Sequence, residues 1–167
     1  MTRMGDRSVY VKLALLIALA GVLAVVYSAS AVGSPTAVAA ARCNGVVATI
    51  VGTSGNNHIR GTNGRDVIVA GAGADEIDAR GGNDLICAGT GNDEVDGDAG
   101  HDRIYGQLGR DDLEGDGGND RVYGGRGNDE LEGDRGRDLL DGGPGFDEGD
   151  GGPGRDTCRR IERRESC

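Results

Sequence analysis

The chain has 167 residues, of which 33 are Gly, one is Phe and none is Trp, with a formal net charge of −10. That length is room for one domain, but large apolar side chains are too few for an ordinary layered core. Low aromatic content with high net charge is also the mark of disorder, so an ordered reading needs a positive argument from pattern.

The chain opens with a segment unlike the rest. Arg3, Arg7 and Lys12 precede the apolar run LALLIALAGVLAVV at 13–26, and small residues follow, ending in TAVAAA. This is the layout of a secretory signal peptide over residues 1–40, with small residues placed for cleavage near Ala39 to Ala41. The alternative is an uncleaved anchor, since residues 13–33 carry no charge and are long enough to cross a bilayer. Arg42 directly before Cys43 argues against a lipoprotein signal. Without residues 1–39 the chain keeps 15 Arg, no Lys and 27 acidic residues, a net charge of −12. Such a balance argues against nucleic acid and anionic membranes as partners and favours cations; a membrane association is expected only if the N-terminal segment stays uncleaved.

Residues 41–51, with the apolar stretch CNGVVATIV, are expected to form an N-terminal cap strand over an open sheet edge. From Gly52 to Arg159 the chain divides into twelve nine-residue units without insertion or deletion, GTSGNNHIR to GGPGRDTCR. Position 4 is Gly in all twelve, and position 6 is Asp in eleven, Asn57 being the exception. Position 8 is Ile, Val or Leu in the first ten, then Gly149 and Cys158. Low-complexity sequence has no reason to hold a register for 108 residues, and collagen needs Gly at every third position.

Each unit reads as a turn over positions 1–6 and a short strand over 7–9, with position 8 facing inward. Two units then make one coil of 18 residues, and stacked coils make two parallel sheets. Position-6 carboxylates of units n and n+2 fall about one strand spacing apart, ~4.8 Å. Calcium takes six to eight oxygens at about 2.3–2.6 Å, so one ion between stacked turns reaches both carboxylates and the turn carbonyls. One buried aliphatic side chain per nine ordered residues is a thin core, and stacked carboxylates repel. The metal-free chain is therefore expected to be largely unfolded, with calcium folding it.

The pattern closely resembles the calcium-binding nonapeptide repeat of RTX (hemolysin-type) proteins, GGxGxDxUx. The resemblance implies an all-β fold: a right-handed parallel β-roll, a two-sheet solenoid with N- and C-terminal caps and calcium in the turns. It implies Asp66, Asp75, Asp84, Asp93, Asp102, Asp111, Asp120, Asp129, Asp138, Asp147 and Asp156 as side-chain ligands, with Asn57 a neutral match. Pairs of units n and n+2 with Asp in both give up to nine ions. The chain is similar to the small exported calcium-binding repeat proteins of actinobacteria. That similarity implies a secreted, non-enzymatic protein with a structural or adhesive role and an extracellular partner that the residues do not identify. A repeat accessory or remnant of an RTX hydrolase or toxin is the alternative.

Other constellations are weak. His58 and His101 stand at different repeat positions without HExxH, and the GxGxxG at 149–154 is repeat register followed by no helix pattern. There is no DxDxDG loop, and the absence of Lys after residue 12 excludes a P-loop. Tyr105 and Tyr123 share position 9 two units apart and are placed to stack on the outer face. Residues 160–167 read as a C-terminal cap. Four cysteines in an exported chain suggest disulfides, with three connectivities possible in principle. Cys158 is at position 8, and Cys167 falls at position 8 of a thirteenth unit. Both are expected to point inward and pair, leaving Cys43 and Cys87 to staple the N-terminal cap, with Cys87 at an outward position 9.

Overall fold

The computed structural model describes residues 40–167; the proposed signal or anchor segment lies outside them. Among the described residues there are strands and turns and no helix. Strands at the ends of odd-numbered units form one seven-stranded parallel sheet, from His58–Arg60 through Glu76–Asp78, Glu94–Asp96, Asp112–Glu114, Glu130–Glu132 and Glu148–Asp150 to Arg163–Glu165. Strands at the ends of even-numbered units form a second, from Ile50–Val51 through Val67–Ala72, Leu85–Thr90, Arg103–Leu108, Arg121–Arg126 and Leu139–Asp141 to Thr157–Arg159. Within the repeats the register is 18 residues throughout, for example Ile77 opposite Val95 and Ile104 opposite Val122. The structure is therefore the expected parallel β-roll. It adds a third, four-stranded sheet at positions 3 and 4 of even units, Gly81–Gly82 to Arg135–Gly136.

Position 8 forms the core as the period dictates: Ile68, Ile86, Ile104, Leu113, Val122, Leu131 and Leu140 have no exposed surface. Position 1 also faces inward, which the one-residue-per-unit expectation did not include. Ala70, Ala79 and Ala88 are fully buried in the same core, where later units have Gly. Four even strands, from Val67–Ala72 to Arg121–Arg126, are long because they continue around this inward position onto positions 2 and 3.

Position 4 must be Gly because the coils are closest there. At Gly109, with φ +146°, a Cβ would sit 1.5 Å from the Gly91 carbonyl oxygen.

The ends depart from the nonapeptide register. Arg42–Cys43 and Val46–Val47 form an antiparallel hairpin across Asn44 and Gly45, both at positive φ. Ile50–Val51 is the edge strand of the even sheet, but the hairpin packs on that sheet's outer face, with Cys43 and Ala48 against Val67, Leu85 and Cys87. Cys43 and Cys87 are bonded, with Cα atoms 5.7 Å apart. Cys87 does point outward, and the hairpin buries it.

Cys158 and Cys167 are also bonded, but not as inward residues of facing strands. The last coil is three residues short. Arg164, fifteen residues after Gly149, takes its place in the ladder, and Cys167 is exposed. Ile161 fills the space beside Gly149, where a Cβ would meet its Cδ1 at 2.7 Å.

The Cys43–Cys87 bridge closes a sequence separation of 44 residues. Replacing both cysteines by Ala is expected to cost about 2–4 kcal/mol in urea unfolding in the presence of calcium. Loss of the 9-residue Cys158–Cys167 bridge is expected to cost less.

Candidate metal centres

The position-6 side chains stack in two columns, one along each edge of the roll. Each uses one carboxylate oxygen to hold the coil before it. In the even column the Asp66, Asp84, Asp102, Asp120 and Asp138 amides donate to Oδ1 of the next Asp, at 2.7–2.9 Å. In the odd column the Asn57 amide donates to Asp75 Oδ1, and the same bond recurs through Asp93, Asp111, Asp129 and Asp147 at 2.8–3.1 Å. The column ends on a residue that the sequence reading missed: the Asp147 amide donates to Glu162 Oε2 at 2.8 Å. Glu162 stands where the Asp of a thirteenth unit belongs, hidden by the three-residue shortening.

The second oxygen is different. The side chains of Asp66 through Asp147 are buried and Asp156 is half-buried. Oδ2 of Asp75, Asp84, Asp93, Asp102, Asp111, Asp120, Asp129, Asp138, Asp147 and Asp156 is buried without a hydrogen-bond partner. Buried polar atoms are normally satisfied, and an ionised oxygen without a partner is costly. Ten in regular array call for cations.

Carbonyl oxygens converge on the same places. A Cβ on Gly106 would lie 2.4 Å from Asp111 Oδ2 and 2.6 Å from the Gly124 carbonyl oxygen. Missing side chains thus leave a space lined by a carboxylate and a carbonyl, which are hard oxygen donors of the kind calcium takes. The arrangement recurs at Gly124 and Gly142 with Asp129 and Asp147. The residues present fit calcium.

Asp66 is the exception among the eleven. Its Oδ2 already accepts from the Thr62 amide at 2.8 Å and Thr62 Oγ1 at 2.9 Å. Thr53 makes the same two bonds to Asn57 Oδ1. In the first coil, position-2 threonines close the turns with hydrogen bonds. Asp66→Asn is therefore expected to leave the calcium midpoint of folding within about twofold of wild type, because its second oxygen has donors already; titration followed by circular dichroism checks this.

Burial pushes Asp102 and Asp111 up to about 7, and Asp120, Asp129 and Asp138 up to about 6. The backbone amide bond from the preceding coil works against this, and stacked neighbouring aspartates reinforce it. Asp84, Asp93 and Asp147 are raised by the same cause.

Position 5 carries another ladder. Asn83 Oδ1 accepts from the His101 amide, His101 Nδ1 from the Asn119 amide, and Asn119 Oδ1 from the Arg137 amide, at 2.8–3.0 Å. His101 thus takes part as an acceptor at Nδ1. His58 Nδ1 lies 3.1 Å from Glu76 on the surface. Tyr105 and Tyr123 stack as expected, with centroids 4.8 Å apart and planes within 4°.

The RTX calcium-binding nonapeptide repeat matches this chain in four copies, over residues 51–86, 88–122, 114–149 and 123–158. No curated protein and no solved structure gave a significant match. The matched repeats, the 18-residue parallel coils and the columns of buried aspartates agree, and the chain belongs to the RTX calcium-binding nonapeptide repeat family.

Proposed function

We propose that this calcium-binding repeat protein is an exported structural module that folds as calcium fills its turns, with no catalytic step. The observation that carries the reading is the array of ten buried, partnerless Asp Oδ2 atoms. The aspartates from Asp66 to Asp156 are the proposed ligands, two to an ion, for up to nine ions; Asp66, with its oxygen already held by Thr62, is the weakest of them. Export is supported by the basic, apolar and small-residue segments of 1–40 and by two disulfides, which persist outside reducing compartments. Extracellular calcium suits sites with dissociation constants of about 10⁻⁴–10⁻³ M. Binding is cooperative because each ion joins two coils that carry further ions.

Calorimetric titration of the metal-stripped protein tests this, together with metal analysis of the loaded form. Several calcium ions per chain and a sigmoidal isotherm are expected. One ion or none would refute the assignment. The intact mass of protein recovered from an exporting host checks cleavage near residues 39–41.

A further inference from the structure

The two outer faces of the roll are unlike each other, although they are built from the same repeat. Strands Glu76–Asp78, Glu94–Asp96, Asp112–Glu114, Glu130–Glu132 and Glu148–Asp150 each begin and end on a carboxylate. These outward positions make the odd face a five-rung acidic ladder. The even face, beyond the rungs under the hairpin, presents Arg103, Arg121 and Arg159 with the stacked Tyr105 and Tyr123; its one outward acid is Asp141, which is paired with Arg160.

Among the described residues the acidic ladder meets basic side chains only at its ends, where Arg60 pairs with Asp78 and Arg163 with Glu148, and His58 Nδ1 lies beside Glu76. Among the described residues its three middle rungs, Glu94 to Glu132, have no ion pair, and neither have Arg103 and Arg121 on the other face.

We infer that the arginine–tyrosine face of one molecule docks on the acidic face of a second copy, so that rolls stack side by side. Both faces have the same rise per coil, because both belong to one 18-residue period. Arg103 and Arg121, on adjacent rungs, set against a row of carboxylates therefore stay in phase with it, whichever way the second axis runs; the next rung carries Leu139 and the one after it Arg159. The two surfaces are different, so the contact is heterologous and leaves the pair with one free face of each kind. Association is open-ended. Four free rungs about 4.8 Å apart make a small contact, held by charge and two tyrosines, at the weak end of specific interfaces.

Sedimentation velocity in millimolar calcium tests the inference. Wild type is expected to self-associate at low ionic strength and to dissociate at least tenfold more readily in about 0.5 M salt. Arg103→Glu with Arg121→Glu makes both faces acidic, and Asp112→Arg with Glu130→Arg makes both basic through the middle rungs. Each double variant is expected to be monomeric with an unchanged calcium-loaded circular dichroism spectrum, and an equimolar mixture of the two is expected to associate. Three results would overturn the inference: wild type that stays monomeric at low salt, reversed variants that associate as wild type does, or a folded mixture that does not associate.

Discussion

In chelator at neutral pH the chain should be unfolded over most of its coils, and acid should restore strand structure without metal. Burial raises the folded-state pKa values of Asp102 and Asp111 from 3.8 to about 7, and those of Asp120, Asp129 and Asp138 to about 6. Folding the metal-free roll therefore takes up protons. The stabilisation is fully present below about pH 4 and is lost as pH rises through 6 to 7, the raised values. On the acidic face Asp96 shifts the same way: burial and an Asp116 neighbour raise it to about 7. In chelator, far-ultraviolet circular dichroism should gain strand signal on acidification from pH 7.5 to about 5. With calcium the dependence reverses, because protons compete for the same oxygens. The calcium midpoint should rise on the order of tenfold for each carboxylate that titrates between those pH values. Metal-free strand signal that falls on acidification would contradict the account.

The second large effect separates the two jobs of each aspartate. Asp111 Oδ1 accepts the Asp93 amide at 3.1 Å, while Oδ2 is buried without a partner. Asp111→Asn keeps an acceptor for that amide but removes the negative charge that faces the ion, so it tests the metal role alone. It should raise the calcium midpoint severalfold yet give a native spectrum at saturation. Asp111→Ala removes both jobs. It leaves the buried Asp93 amide unpaired, at a further cost of about 1–3 kcal/mol. Calcium titrations and urea unfolding of both variants at saturating calcium check the order wild type, Asn, Ala. Equal midpoints for wild type and Asp111→Asn would remove Oδ2 from the metal site.

Features that recur every nine residues were legible in the sequence. Gly at position 4, Asp at 6 and an aliphatic residue at 8 fixed the coil, the two parallel sheets and the columns of Asp66 to Asp156. The 18-residue coil and the stacking of Tyr105 on Tyr123 were legible too, but the difference between the two faces was hidden, because units averaged together lose their parity. Glu94 and Arg103 both stand at position 7, and only the division into two sheets puts them on opposite faces. The inward role of Ala70, Ala79 and Ala88 recurs every nine residues and was missed for another reason: Gly and Ala at one position read as turn chemistry rather than as core.

The ends were least legible, because the register breaks there. The Asn44–Gly45 hairpin signal was present but was read as part of a straight cap strand. Three missing residues put Arg164 in line with Gly149 and gave Glu162 the place of an aspartate. Both disulfide pairs were anticipated, one through the wrong geometry: Cys167 closes the C-terminus from the surface. The first coil differs in its chemistry. Thr53 and Thr62 supply hydrogen bonds there, and the hairpin, three core alanines and the Cys43–Cys87 bridge add apolar packing nearby.

The central claim is that calcium between stacked turns holds this roll together. Far-ultraviolet circular dichroism of the disulfide-intact protein at pH 7.5, first in excess chelator and then through a calcium titration to several millimolar, tests it most directly. The account predicts loss of most strand signal in chelator and its sigmoidal return with calcium. A native strand spectrum that persists in chelator and does not change with calcium would contradict it.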